Sequence, residues 1–206
     1  ECIGQITHSR HVGILATSGT ISSGSYPLEI RKLYPDIVVS GEACPMWVPL
    51  VENYEYDSPG ADYFVEKRIG NLLRKDPAID TIVLGCTHYP LLLNKILKYT
   101  PRNVRIVPQG EYVAYSLKDY LQRHTEIETL CTQSGTCRFL TTESPDKFME
   151  SASIFLRQHE HIKNFDCISA KNENTFPSSV RMEHFAFVSA FLPFGRTGKR
   201  AILCMV

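Results

Sequence analysis

Short apolar runs alternate along the chain with longer segments of helical period. Residues 11–17, HVGILAT, form a run of buried-strand character, followed by a Ser/Gly turn. In SYPLEIRKLYP, which comes next, Tyr26, Leu28 or Ile30, and Leu33 or Tyr34 return to one helical face. DIVVSG (36–41) reads as the second strand and PMWVPLVEN as a short helix or turn. GADYFVEKRIGNLLRKD reads as a full helix, with Phe64, Val65, Ile69, Leu72 and Leu73 on its apolar stripe. IDTIVLG is the third strand, and YPLLLNKILKYT a helix whose Pro90 suits the first turn.

NVRIVPQG then reads as a strand, EYVAYSLKDYLQRH as a helix and CRFLTT as a strand. SPDKFMESASIFLRQH is a helix with Ser144 as N-cap and Pro145 at N1. Strands separated by helices of this length pair in parallel, with helices on both faces. The fold class is α/β, a doubly wound parallel sheet. After Phe165 the alternation decays, and Pro, Asn, Ser and Gly fall at irregular intervals; the tail 167–206 reads as divergent or poorly ordered.

Charge and composition narrow the range of functions. Lys plus Arg and Asp plus Glu balance at 22 each, with no basic cluster, which disfavours nucleic acid and anionic membranes as partners and favours a small molecule. No window approaches the ~18 uninterrupted apolar residues of a membrane span. The polar start, ECIGQITHSR, is not an export signal, so the expected location is the cytoplasm. Seven cysteines without a CxxC pair fit free thiols in a reducing compartment. The start without Met suggests a fragment of a longer protein.

In open α/β sheets a ligand sits beyond the carboxyl ends of the strands. Three stretches end there: Thr17, Ser18, Gly19 and Thr20 after the first strand, Glu42 and Cys44 after the second, and Cys86, Thr87 and His88 after the third. Gly85 lets the backbone turn sharply before Cys86, and a helix starting close after it offers unpaired N–H groups that favour a thiolate or a bound carboxylate. His88 can supply a proton or stabilise the thiolate. Cys86 is thus a reagent candidate, with a packing role as the alternative; for Cys44, between Ala43 and Pro45, packing is the better reading.

The loop of residues 17–26 is composed like an anion cradle but matches neither the Walker pattern nor GxGxxG, so a turn with a helix cap is its plainer reading. Glu52 is either solvated or aimed at the site. His8, His11, His124, His159, His161 and His184 show no metal-ligand spacing, and no metal site is expected.

Together, ILATSGTISSGSY, ACPMWVPLVE and VLGCTHYPLL, in this order and separation, resemble the second half of a glutamate racemase, of the cofactor-independent aspartate/glutamate racemase group. VPQGEYVAYSLKDYL and CRFLTTESPDKFMESASIFL resemble that family's closing segments, so the likeness runs over residues 11–166. It implies two facing doubly wound domains with glutamate between them. Residues 1–103 would form the second domain and residues 104–166 an incomplete returning segment of the first. It implies two-thiol proton transfer without pyridoxal phosphate, metal or nucleotide, supplying D-glutamate for peptidoglycan, and a possible homodimer of the complete enzyme.

Residue by residue, the resemblance makes Cys86 the second-domain acid/base acting on the L-enantiomer, with His88 and Glu52 assisting in catalysis. It also makes Thr87, His88, Thr17 and Thr20 substrate-binding residues. The family's Asp-Ser-Gly and Ala-Cys-Asn-Thr-Ala signatures are absent, so the chain alone is expected to be nearly inactive and to self-associate. The alternatives are a racemase-like binding module without turnover and a racemase of another amino acid such as aspartate.

Overall fold

The computed structural model describes residues 2–131, together with 138–141, 144, 146 and 166–169. It divides into two compact units, Glu1–Gln109 and Gly110–Val206.

The first unit is built on a four-stranded parallel sheet in the order β2-β1-β3-β4. Its strands are β1 (His11–Ala16), β2 (Val38–Ala43), β3 (Thr81–Leu84) and β4 (Arg105–Pro108). A short helix α1 (Ile3–Ile6) precedes β1. Between β1 and β2 run α2 (Ser18–Ser23) and α3 (Ser25–Leu33), joined at Gly24, whose φ of 64° is a left-handed conformation that glycine adopts without strain. Where the sequence suggested a Ser/Gly turn, Thr17 therefore starts a helix: its hydroxyl accepts from the Thr20 N–H and supplies the N-cap.

The return from β2 to β3 runs through α4 (Trp47–Glu52) and α5 (Pro59–Lys75), and a 3₁₀ turn, Tyr89–Leu92, leads from β3 into α6 (Leu93–Tyr99). Right-handed crossovers in this strand order put α2 and α3 on one face and α5 and α6 on the other. α5 packs on α6, β1 and β2. Val65, Ile69 and Leu72 of α5 are buried, as are Val12, Ile14 and Leu15 of β1 and every residue of β3, so the core lies between these two central strands and α5.

Register accounts for two boundary shifts from the sequence reading. The second strand starts at Val38 because its N–H bonds the Arg10 carbonyl, and it continues to Ala43 because Ala43 pairs with Ala16. β4 pairs residue for residue with β3, so the first compact unit runs to Gln109 rather than stopping at residue 103.

The amino ends of the strands are fastened by carboxylates. Asp80 accepts from the Thr7 hydroxyl at 2.7 Å, the His8 and Ser9 N–H groups at 2.6 Å each, and the Thr81 hydroxyl at 2.8 Å. Burial pushes this carboxyl up, but the N–H groups of Ser9 and His8 and the two hydroxyls outweigh it and hold it well below the usual carboxylate range.

The second unit contains α7 (Gln109–Arg123), which begins on the last residue of the first, then α8 (Thr125–Glu128), β5 (Arg138–Thr141) and β6 (Asp166–Ser169). β5 and β6 pair in parallel, Arg138 with Asp166 through Thr141 with Ser169. β6 is a strand within the stretch where the hydrophobic pattern gave no element. The helix read at 144–159 lies almost wholly outside the described residues, and the tail 170–206, His159 and His161 lie wholly outside them.

Candidate active site

In the order β2-β1-β3-β4 the connections leave β1 and β3 in opposite directions, and the crevice at their carboxyl ends is where such sheets hold ligands. The hydrogen-bond ladder continues past the strand ends there: Gly85 N–H donates to Leu15 O and Cys44 N–H to Ala16 O, each at 2.8 Å. This brings the Thr17, Cys44 and Cys86 backbones to one edge.

Cys86 stands at the turn after β3, half-buried, and His88 is the residue before the 3₁₀ helix. Cys86 Sγ lies 3.7 Å from His88 Nδ1, and His88 Nε2 lies 3.4 Å from Glu52 Oε1 at the end of α4. The Glu52 carboxylate can only accept, so it selects the Nε2–H tautomer and leaves the Nδ1 lone pair toward the thiol. The result is a nucleophile, a base and an orienting carboxylate in series.

The sequence led us to expect a favoured thiolate, and here burial changes the balance. Burial raises the Cys86 pKa; the N–H groups of His88, Tyr89 and Thr87 lower it, and the negative charge of Glu52 raises it, leaving it above its ordinary value. Cys86 therefore rests as a thiol. Burial likewise lowers the pKa of His88, against the opposing pull of Glu52, so the imidazole rests neutral and able to accept the thiol proton.

Thr17 and Thr20 are linked through their hydroxyl oxygens at 3.0 Å, at the start of α2. Thr87 is half-buried between Cys86 and His88. Thus Cys86, His88 and Glu52 form one contacting chain, while Thr17, Thr20 and Thr87 occupy the same carboxyl edge. Cys44 is separated from the reagent role: it is 1% exposed, and its burial drives the thiol pKa far up. Glu42 lies within β2, its carboxylate bonded by Arg68, Asn71 and Lys75 of α5, which makes it a clasp between strand and helix.

Comparison with known proteins finds relatives over about three quarters of the chain. The chain is 37% identical over 156 residues to the glutamate racemase of Thermoanaerobacter sp. (strain X514), and 34% identical over 155 residues to that of Shouchella clausii. The first alignment covers 76% of this chain and the second 75%. The crystal structure of a glutamate racemase isoform from Bacillus anthracis superposes with a TM-score of 0.68 at 31% identity, over 80% of this chain and 59% of that one. Over about three quarters of its length the chain is similar to glutamate racemases. It spans 58% and 55% of the lengths of the two curated relatives. The Francisella tularensis glutamate racemase solved with D-glutamate superposes with a TM-score of 0.65 at 26% identity, covering 81% of this chain. No protein-family model matches the chain.

Reasoning from sequence missed two residues of this candidate site. Gln109 Nε2 donates to the Tyr26 hydroxyl and, at 3.0 Å, to the Leu84 carbonyl; a methyl group built on Gly85 would come within 3.2 Å of the Tyr26 ring and hydroxyl. Gln109 follows β4 at the same carboxyl edge, so the strand-end rule pointed to it; Tyr26 read as part of an apolar helix face and as the end of the 17–26 loop, with no role of its own. Among the described residues no His, Cys, Asp and Glu cluster could hold a metal ion, and no helix is long and apolar enough to cross a membrane.

Proposed function

We propose that the protein to which this chain corresponds interconverts L- and D-glutamate without a cofactor, supplying D-glutamate for peptidoglycan in the cytoplasm. The observation that carries the reading is the series Cys86, His88, Glu52 at the β1/β3 crevice, with separations of 3.7 and 3.4 Å. Removing the α-proton of an amino acid leaves a carbanion of very high conjugate pKa, so a base on one face must be matched by an acid on the other. Cys86 passes its proton to His88 Nδ1 and, as a thiolate, takes the α-proton of L-glutamate; a second thiol on the opposite face gives its proton to the carbanion and becomes a thiolate. In reverse the Cys86 thiol is the donor.

N–H groups at the start of the 3₁₀ turn and the hydroxyls of Thr17, Thr20 and Thr87 are suited to hold the substrate's carboxylates. The segment after Gln109 would belong with the domain that supplies the opposite thiol, and the complete enzyme would form a homodimer.

A racemase-like binding module without turnover is the second reading. In deuterated water, solvent deuterium should enter the α-position of L-glutamate in the presence of this chain and not of its Cys86→Ala variant. Exchange without racemisation identifies a working half-site. Absence of exchange from both enantiomers would leave only binding, and exchange that survives Cys86→Ala would remove Cys86 from the chemistry.

A further inference from the structure

Gln109 and Tyr26 are two side chains at the Cys86 turn that the proton-transfer series does not use. The Leu84 carbonyl can only accept, so it is the nitrogen of the Gln109 amide that faces it. The same nitrogen meets the Tyr26 hydroxyl, which therefore accepts from Gln109. Both amide hydrogens are used, one on the last carbonyl of β3 and one on a residue of α3. The Tyr26 ring in turn lies against Gly85, the hinge between that carbonyl and Cys86. Three stretches of the first unit, β3, α3 and the residue after β4, are thus tied at one peptide plane, directly before Cys86 and the Thr87, His88 and Tyr89 N–H groups that favour its thiolate.

We propose that Tyr26 and Gln109 are a positioning pair for Cys86: by fixing the Leu84–Gly85 peptide they aim the following N–H groups at the sulfur and set how readily the thiolate forms. The proposal rests on Cys86 being the reactive thiol of the preceding section. The charged and titratable groups that face the sulfur are Glu52 from α4, Cys44 after β2, Tyr26 from α3, and His88 and Tyr89 beside the 3₁₀ turn. None of these except Tyr26 is changed by the variants below.

The test is the pH profile of Cys86 alkylation by iodoacetamide, read by mass spectrometry on the Cys86 peptide of the full chain. It is made with Tyr26→Phe, Gln109→Leu and the double variant. Each single change should move the midpoint up by about half a pH unit, roughly a threefold loss of thiolate near neutrality. The double variant should move it no further than the larger single shift, because one linked device is broken. Circular dichroism melting of each variant separates this from a packing role, which would lower the melting temperature and leave the midpoint in place. Unchanged midpoints, or two shifts that add, would overturn the proposal. The alkylation profile does not depend on turnover of glutamate, so its outcome and that of the deuterium exchange stand apart.

Discussion

The indole of Trp47 meets the ring of Tyr89 edge to face, with centroids 4.7 Å apart and both side chains fully buried. Trp47 opens the helix that ends in Glu52, and Tyr89 opens the 3₁₀ turn that follows His88. The Glu52–His88 pair is therefore held by an aromatic contact one helical turn away from it. Tyr89 also donates to the Cys44 carbonyl at 3.3 Å, which joins the turn to the end of β2.

Tyr89→Ala should cost about 3–5 kcal/mol, in the range of large aromatic truncations in cores. Trp47 is the chain's single tryptophan, so urea unfolding followed by its fluorescence reads the loss directly. A loss below about 1 kcal/mol would mean that the aromatic contact does not hold the helix against the turn.

Glu52→Gln should lower the pKa of two groups at once. Its carboxylate raises the Cys86 pKa by like-charge repulsion and raises the His88 pKa by attraction and hydrogen bonding. Removing the charge should shift the alkylation midpoint of Cys86 to lower pH and the NMR titration of the His88 ring to lower pH as well. Opposite movement of the two would show that the carboxylate does not act on both through its charge.

Cys86 should react with iodoacetamide in the folded chain while Cys44 stays protected. Burial drives the Cys44 thiol pKa up and leaves it 1% exposed, whereas Cys86 is half-buried at the carboxyl end of β3. Peptide mass spectrometry should find Cys44 slower by at least about tenfold until denaturant is added. Equal rates would undo the division between reagent and packing cysteine.

Asp80→Asn should lower stability by roughly 1–3 kcal/mol, the range for losing hydrogen bonds to a charged acceptor. The folded pKa lies below the unfolded one, so the stabilisation is fully present above about pH 4 and is lost as the pH falls toward the folded value. Melting temperature against pH should therefore fall less steeply on the acid side for the variant than for the parent chain. Parallel curves would assign the acid sensitivity to other carboxylates.

The parallel sheet was legible because its central strands are buried on both faces and read as apolar runs, HVGILA and TIVL, punctuated by Gly85 and Pro90. The Cys86 and His88 pair was legible for the same reason: a strand end fixes where its next residues point. Glu52 was harder, since nothing local shows that the Trp47–Tyr89 contact turns an exposed helix-end carboxylate toward an imidazole. Tyr26 and Gln109 escaped because their partners are a carbonyl and a glycine distant in sequence, and backbone groups leave no trace in the residue pattern. The protonation of Cys86 was misjudged because N–H donors are visible in a motif, whereas the desolvation that outweighs them depends on packing from other elements.

The Asp80 clasp and the Cys86 turn bracket the same strand, about 20 Å apart at the spacing of extended residues. That distance exceeds the range over which substitutions couple strongly. Heat and acid tolerance can accordingly be adjusted at one end of β3 while thiol reactivity is adjusted at the other. The strand works as an insulator between two independent settings, and a thermally hardened variant of this fold need not relinquish the tuning of its sulfur.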